Sequence, residues 1–204
     1  MLKVGLTGSI AVGKTFVCEV LAELGCFVLD ADVTAREVVK PETKGLRLIV
    51  ESFGEEVLLE TGELDRIKLG GIVFNDESKR QLLNSIVHPL VTEAQDIWLE
   101  EKALEKPDGI AVIDAALMIE SGGFKRFDKL IVVWCDFVIQ LERLRLRNNL
   151  SKPEALKRIN AQMPQDEKKS YADFLIDTTD GFAAARRQTE EIFRRLNDSV
   201  ISGR

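Results

Sequence analysis

Gly8-Ser9-Ile10-Ala11-Val12-Gly13-Lys14-Thr15 sets two glycines, a lysine and a hydroxyl at the spacing G-x-x-x-x-G-K-[ST]. Those residue types at that spacing make a phosphate cradle. Successive backbone N–H groups and a helix N-terminus face an anion, the lysine ammonium reaches the β and γ phosphates, and the threonine hydroxyl can ligate Mg²⁺. The flanks fit this chemistry. Val4-Gly5-Leu6 reads as a buried strand, and Val17, Val20, Leu21 and Leu24 recur at helical spacing before Gly25, which is placed to end the helix. Gly8, Ser9, Ile10, Ala11, Val12, Gly13, Lys14, Thr15 and Phe16 are therefore expected to bind a nucleoside triphosphate.

Acidic residues fall where phosphoryl transfer needs them. Asp30-Ala31-Asp32 ends a second apolar segment, Phe27-Val28-Leu29, and in open α/β sheets ligands bind beyond the carboxyl ends of the strands. A carboxylate there could orient or deprotonate an attacking hydroxyl, or hold Mg²⁺ through water. Strand alternation would point Asp30 and Asp32 the same way if the strand reaches that far, and a turn already begun there would not. Asp32 also precedes Val33-Thr34-Ala35-Arg36 and could cap a helix, a role compatible with catalysis. Asp114 follows Ile110-Ala111-Val112-Ile113 and is a further candidate for the metal, and Glu120 is a similar lone acid. His88 is the only histidine, and nothing near it in sequence makes a metal site or a nucleophile–base pair.

A basic segment complements these acids. Residues 142–169 hold eight Lys or Arg against four acids, a local balance of +4 within a chain of net charge −6, so the rest carries −10. A basic flap on an acidic body suits closure over a triphosphate. Gln140, Arg143 and Arg147 share one helix face at i, i+3, i+7, which leaves Leu141 and Leu144 to face inward.

Five apolar segments must position these groups: Val4–Leu6, Phe27–Leu29, Ile110–Ile113, Leu130–Trp134 and Phe174–Ile176. Most are joined by helical stretches, which predicts an α/β fold, a doubly wound parallel sheet with helices on both faces. The length of 204 residues suits one domain. Its core is expected over about 1–52, 108–137 and 169–204, with a helical insertion over about 53–107 and a helical hairpin lid over about 138–168. Hydrophobic content of 45% and charged content of 30% fit a soluble globular protein. The acidic balance argues against wholesale nucleic-acid or membrane binding. Three cysteines without C-x-x-C spacing read as reduced, mostly buried thiols of a cytoplasmic protein. The first strand begins by residue 3, which leaves no room for a signal peptide, and the apolar run Ile110–Ile119 is too short to span a membrane.

From Gly5 to about Asp180 the chain resembles the dephospho-CoA kinase family. The resemblance rests on the phosphate loop, Val28-Leu29-Asp30-Ala31-Asp32 with Ala35-Arg36, Thr61-Gly62-Glu63-Leu64-Asp65-Arg66, and Val87-His88-Pro89-Leu90-Val91. It continues through Gln140-Leu141-Glu142-Arg143, Gln162-Met163-Pro164 and Ala172-Asp173-Phe174-Leu175-Ile176-Asp177. The resemblance implies a fold of the P-loop NTPase type with a helical acceptor-binding insertion and a helical lid. It implies transfer of phosphate from ATP to the ribose 3′-hydroxyl of dephospho-CoA, the last step of coenzyme A synthesis, with Mg²⁺ as the accompanying ion.

On that basis Asp32 is the base, Lys14 holds the ATP phosphates, and Arg143 and Arg147 neutralise charge on the transferred group. Asp30, Arg36 and His88 would contact the acceptor, and Thr15 and Asp32 would serve the metal. The assembly expected is a monomer or small homo-oligomer. The family usually reads G-G-I-G-S-G-K-S-T, whereas this chain has Ser9, Ala11, Val12 and Phe16. Side chains at 11 and 12 restrict the backbone wherever it needs positive φ. Ala116 replaces a usual proline, and Thr178 stands where the family commonly has asparagine near the adenine. A different small-molecule kinase would share the loop and the basic flap but not the His-Pro insertion pattern. A GTP-binding switch would need N-K-x-D and D-x-x-G, and the chain has neither.

Overall fold

Apolar runs without polar alternation call for burial on both faces, and the five runs line up in one parallel sheet whose three central strands meet that call while the two edge strands are partly buried. The computed structural model describes residues 1–74 and 76–202. Asn75, Gly203 and Arg204, which fall within the anticipated insertion and core segments, lie outside the described residues. The strands are β1 (Leu2–Thr7), β2 (Phe27–Asp30), β3 (Ile110–Asp114), β4 (Lys129–Trp134) and β5 (Phe174–Asp177). They stand in the order β2-β3-β1-β4-β5, every neighbouring pair parallel. The helices are α1 (Lys14–Glu23), α2 (Ala31–Glu37), α3 (Lys44–Phe53), α4 (Arg66–Phe74), α5 (Glu77–Glu105), α6 (Phe137–Asn148), α7 (Lys152–Asn160), α8 (Gln165–Lys169) and α9 (Phe182–Ser202).

The chain divides into two compact units, Met1–Asp30 with Glu101–Arg204, and Ala31–Glu100. The first holds the whole sheet. Val4, Leu6, Val112, Ile131 and Val133 form its core together with Val17 and Leu21 of α1 and Ala185, Ile192 and Leu196 of α9. The second unit starts at Ala31 and ends at Glu100, whereas the helical insertion was anticipated over about 53–107. Its apolar cluster gives the reason. Val39 and Ile49 share that cluster with Val57 and Leu69, so α3 packs with the helical segment that follows it.

The strand order places a topological switch at β1. The chain leaves β1, passes over the position of β3 to form β2, returns to β3, and then crosses to β4 on the other side of β1. Ligands bind at such switch points, outside the carboxyl ends of the strands, and the phosphate loop leaves β1 there. The register adds the acids: Leu6 pairs with Asp114, and Asp114 with Asp30.

Of the two courses open to the chain at Asp32, it takes the turn. β2 ends at Asp30 and α2 begins at Ala31, so Asp32 lies in the first turn of a helix and not in extended chain. Strand alternation therefore does not relate Asp30 to Asp32. The stretch 138–168 holds α6 and α7, each with a local cap. Asp136 caps α6 by accepting from the Val138 N–H at 3.4 Å, Asn149 ends it with φ of 50°, and Glu154 accepts from the Ser151 N–H at 2.8 Å at the start of α7. The chain then continues through α8 into β5.

Candidate active site

The phosphate loop is shaped by what each side chain would collide with. A Cβ on Gly8 would lie 2.3 Å from the Val133 carbonyl oxygen, so the loop crosses β4 where only glycine fits. Val12 is wholly buried in the core below the loop. Gly13 has φ of 90° and supplies the turn into α1, which begins at Lys14. Its N-terminus carries no side-chain cap, which leaves first-turn N–H groups for an anion.

Ala11 has φ of 62°. This left-handed conformation costs an L-residue about 1–2 kcal/mol, a cost that the glycine-rich form of the loop avoids. Ala11→Gly should stabilise the protein by about 0.5–1 kcal/mol, after allowing for the freer unfolded chain. Calorimetry should then show a thermal midpoint about 2–3 °C higher. A midpoint at or below wild type would mean that residue 11 carries no strain.

Lys14 Nζ lies 3.6 Å from Asp114 Oδ1, both side chains largely buried. The Cys18 thiol, one helical turn after Lys14, points at Asp114 Oδ2 at 3.6 Å. Burial, reinforced by Asp114, raises the Cys18 pKa, and burial pushes the Cys26 thiol up to about 12 and Cys135 upward. All three thiols are thus held protonated and unreactive at neutral pH. Thr15 is exposed at the start of α1. Among the described residues no group of three or more His, Cys, Asp or Glu could hold a metal unaided. A hydroxyl and one or two carboxylates beside a triphosphate are nevertheless the donor set Mg²⁺ accepts, because phosphate oxygens and water complete its octahedron.

The hairpin residues divide. Arg143 is half-buried and donates twice to Thr178, at 2.8 Å to Oγ1 and 2.7 Å to the carbonyl. The Thr178 hydroxyl in turn donates to the Val12 carbonyl at 2.7 Å. Thr178 therefore ties Arg143 to the phosphate loop. Arg147 is exposed and donates to Asn148 Oδ1 at 3.0 Å. Gln140 departs from the polar face drawn for it, being wholly buried with its amide bonded to the Ile10 carbonyl. Lys168 also contributes nothing to a basic surface: it is fully buried against Glu120.

A cavity of about 640 Å³ opens beside the end of β4, with Trp134, Phe137, Met163 and Gln165 in its lining. Only Ser9 of the phosphate loop reaches it, and its charged lining is Asp136 and Asp166 against Lys169. That balance does not suit a triphosphate, whose place is at the loop amides and the start of α1. In the second unit, Asp32, Arg36 and His88 are all exposed. Arg36 lies in the last turn of α2, and His88 lies inside α5 just before Pro89.

The model of the family described as dephospho-CoA kinase matches residues 2–183. The chain belongs to the dephospho-CoA kinase family. It is 46% identical over 191 residues to a dephospho-CoA kinase of Bacillus licheniformis, covering 94% of each chain. It is 43% identical over 195 residues to one of Listeria monocytogenes, covering 95% of this chain and 96% of the relative. Among solved structures, a dephospho-CoA kinase from Campylobacter jejuni superposes with a TM-score of 0.72 at 27% identity, covering 97% of this chain and 98% of that one.

Within the dephospho-CoA kinase sequence, several residues that hold the site together carried no assigned role. Gln162, Gln165 and Lys168 act across 25 to 152 residues of chain, too far apart for any local pattern to show. Lys168 stands in the charged run Asp166-Glu167-Lys168-Lys169, which reads as surface. Burial inverts that reading.

Proposed function

We propose that this chain phosphorylates the ribose 3′-hydroxyl of dephospho-CoA with ATP as donor, using the carboxyl ends of β1, β2 and β3 as its reaction centre. The observation that supports this most is the convergence of the phosphate loop, Lys14 and Asp114 at the switch point of the sheet, with Asp30 in register beside Asp114. The loop amides and Lys14 hold the β and γ phosphates in line, and phosphoryl transfer then needs little beyond positioning and charge stabilisation. Asp32, exposed two residues past the strand end, takes the proton of the 3′-hydroxyl as that oxygen attacks. Arg147 meets charge developing on the transferred group, and Arg143 does so from its seat on Thr178. Asp30, Arg36 and His88 are assigned to the acceptor. Mg²⁺, when bound, would neutralise the phosphates, held by the Thr15 hydroxyl and by carboxylates from among Asp114 and Asp32.

The 138–168 hairpin acts as the lid that keeps water from the phosphoryl group. No helix among the described residues is long and apolar enough to cross a membrane. The cytoplasm is the compartment this reading assigns, with the chain as a monomer or small homo-oligomer. ADP release coupled to an indicator tests the activity with dephospho-CoA beside a panel of nucleoside monophosphates. Turnover with dephospho-CoA alone is expected. Turnover of a monophosphate with none of dephospho-CoA would overturn the assignment.

A further inference from the structure

Both backbone groups of Ile10, the residue before strained Ala11, are held by glutamine side chains of the hairpin. Gln162 Oε1 accepts from the Ile10 N–H at 2.7 Å, and Gln140 Nε2 donates to the Ile10 carbonyl at 2.8 Å. The orientations of these amides follow from the backbone. The Cys135 N–H can only donate, so it selects the oxygen of Gln165, at 3.1 Å. Gln165 Nε2 then faces Gln140 Oε1 at 2.9 Å, which leaves Gln140 Nε2 for the Ile10 carbonyl. Gln162 must likewise present oxygen to the Ile10 N–H.

The segment carrying Gln162 is itself anchored. The next residue, Met163, donates its N–H to Glu120 Oε1 at 3.2 Å, and Lys168 bonds both Glu120 and the Ala116 carbonyl. That carbonyl also accepts from Thr7 Oγ1, at the end of β1, at 3.2 Å. The network thus runs from β1 through the hairpin and back to the loop that follows β1. A strained backbone persists only where its surroundings over-determine it.

We propose that Gln162 and Gln140 are positioning residues for ATP: a two-glutamine clamp on Ile10 that holds the phosphate loop in its binding shape. The clamp does for this loop what glycine at residue 11 would do by conformational freedom. It also makes the shape of the loop depend on the docked hairpin. The proposal rests on the reading of Gly8–Thr15 as the ATP site.

Gln162→Met keeps side-chain length and removes the acceptor. Calorimetric titration of the full-length variant with ATP and Mg²⁺ should show affinity weakened about tenfold. In steady state the KM for ATP should rise while the KM for dephospho-CoA stays within about twofold. Adding Ala11→Gly to Gln162→Met should restore ATP affinity to within about threefold of wild type, because the loop then no longer needs holding. Gln140→Met should behave the same way where it folds, and Gln162→Met decides the matter where it does not. Unchanged ATP affinity in Gln162→Met, a parallel rise in both KM values, or no restoration by Ala11→Gly would each overturn the clamp. Failure of the wild type to phosphorylate dephospho-CoA would instead count against the assigned reaction, while the ATP titrations would still judge the clamp.

Discussion

Asp32→Asn should lower kcat with dephospho-CoA by about 10²- to 10⁴-fold, the range lost when a positioned general base is removed. The KM for ATP should stay within about twofold, because the phosphates are held by the loop amides and Lys14 and not by Asp32. The thermal midpoint should not move measurably, since the side chain is exposed and asparagine is tolerated in a first helical turn. Asparagine preserves size and one acceptor oxygen but cannot take the proton, so the variant isolates the chemistry from the packing. Asp30→Asn is the matched control. Asp30 stands beside Asp114 in the sheet register, whereas Asp32 lies in the first turn of α2. A larger fall in kcat for Asp30→Asn would transfer the base role to Asp30, and an Asp32→Asn kcat within threefold of wild type would remove Asp32 from the reaction.

Local apolar patterning was legible in the sequence, and long-range polar contacts were not. All five strands appeared as apolar runs: the central β1, β3 and β4 because they are buried on both faces, and the edge strands β2 and β5 although they are only partly buried. The order β2-β3-β1-β4-β5 was not legible, since it depends on which helix crosses which face. The phosphate loop is legible as a local motif, and the restriction expected for a side chain at residue 11 meets a positive φ at Ala11.

Gln140 shows where periodicity fails. Amphipathic reasoning sends a glutamine to the water side, yet Gln140 is buried because Ile10 and Gln165 satisfy its amide. Arg143 is expected from the resemblance as a lid cation for the transferred group, and its seat on Thr178, a pairing across 35 residues, has no local signal. The start of the second unit at Ala31 was missed for a similar reason. Its boundary follows from Val39 and Ile49 packing with Val57 and Leu69, and not from any break in composition.

Lys168→Met should destabilise the protein by about 3 kcal/mol, a fall in thermal midpoint of about 6–12 °C for a chain of this size. Lys168 is fully buried, with its ammonium 2.8 Å from the Ala116 carbonyl and 2.8 Å from Glu120 Oε1. Burial lowers its pKa from the ordinary 10.5, and Glu120 only partly offsets this. The charged pair is therefore not a net source of stability. The loss expected from Lys168→Met comes from what it leaves behind, a carboxylate and a carbonyl stripped of their main donor.

The double variant Lys168→Met with Glu120→Leu should for that reason recover at least half of the loss, and calorimetry on the three proteins checks it. The pH dependence has a definite sign. Between the lowered native pKa and 10.5 the unfolded chain binds more protons at this residue, so its contribution to stability rises with pH. The stability gap between wild type and Lys168→Met should then widen as pH climbs toward 10.5 and stay level below that window. A gap that narrows with rising pH, or a double variant no more stable than the single one, would mean that the pair holds the fold by net attraction.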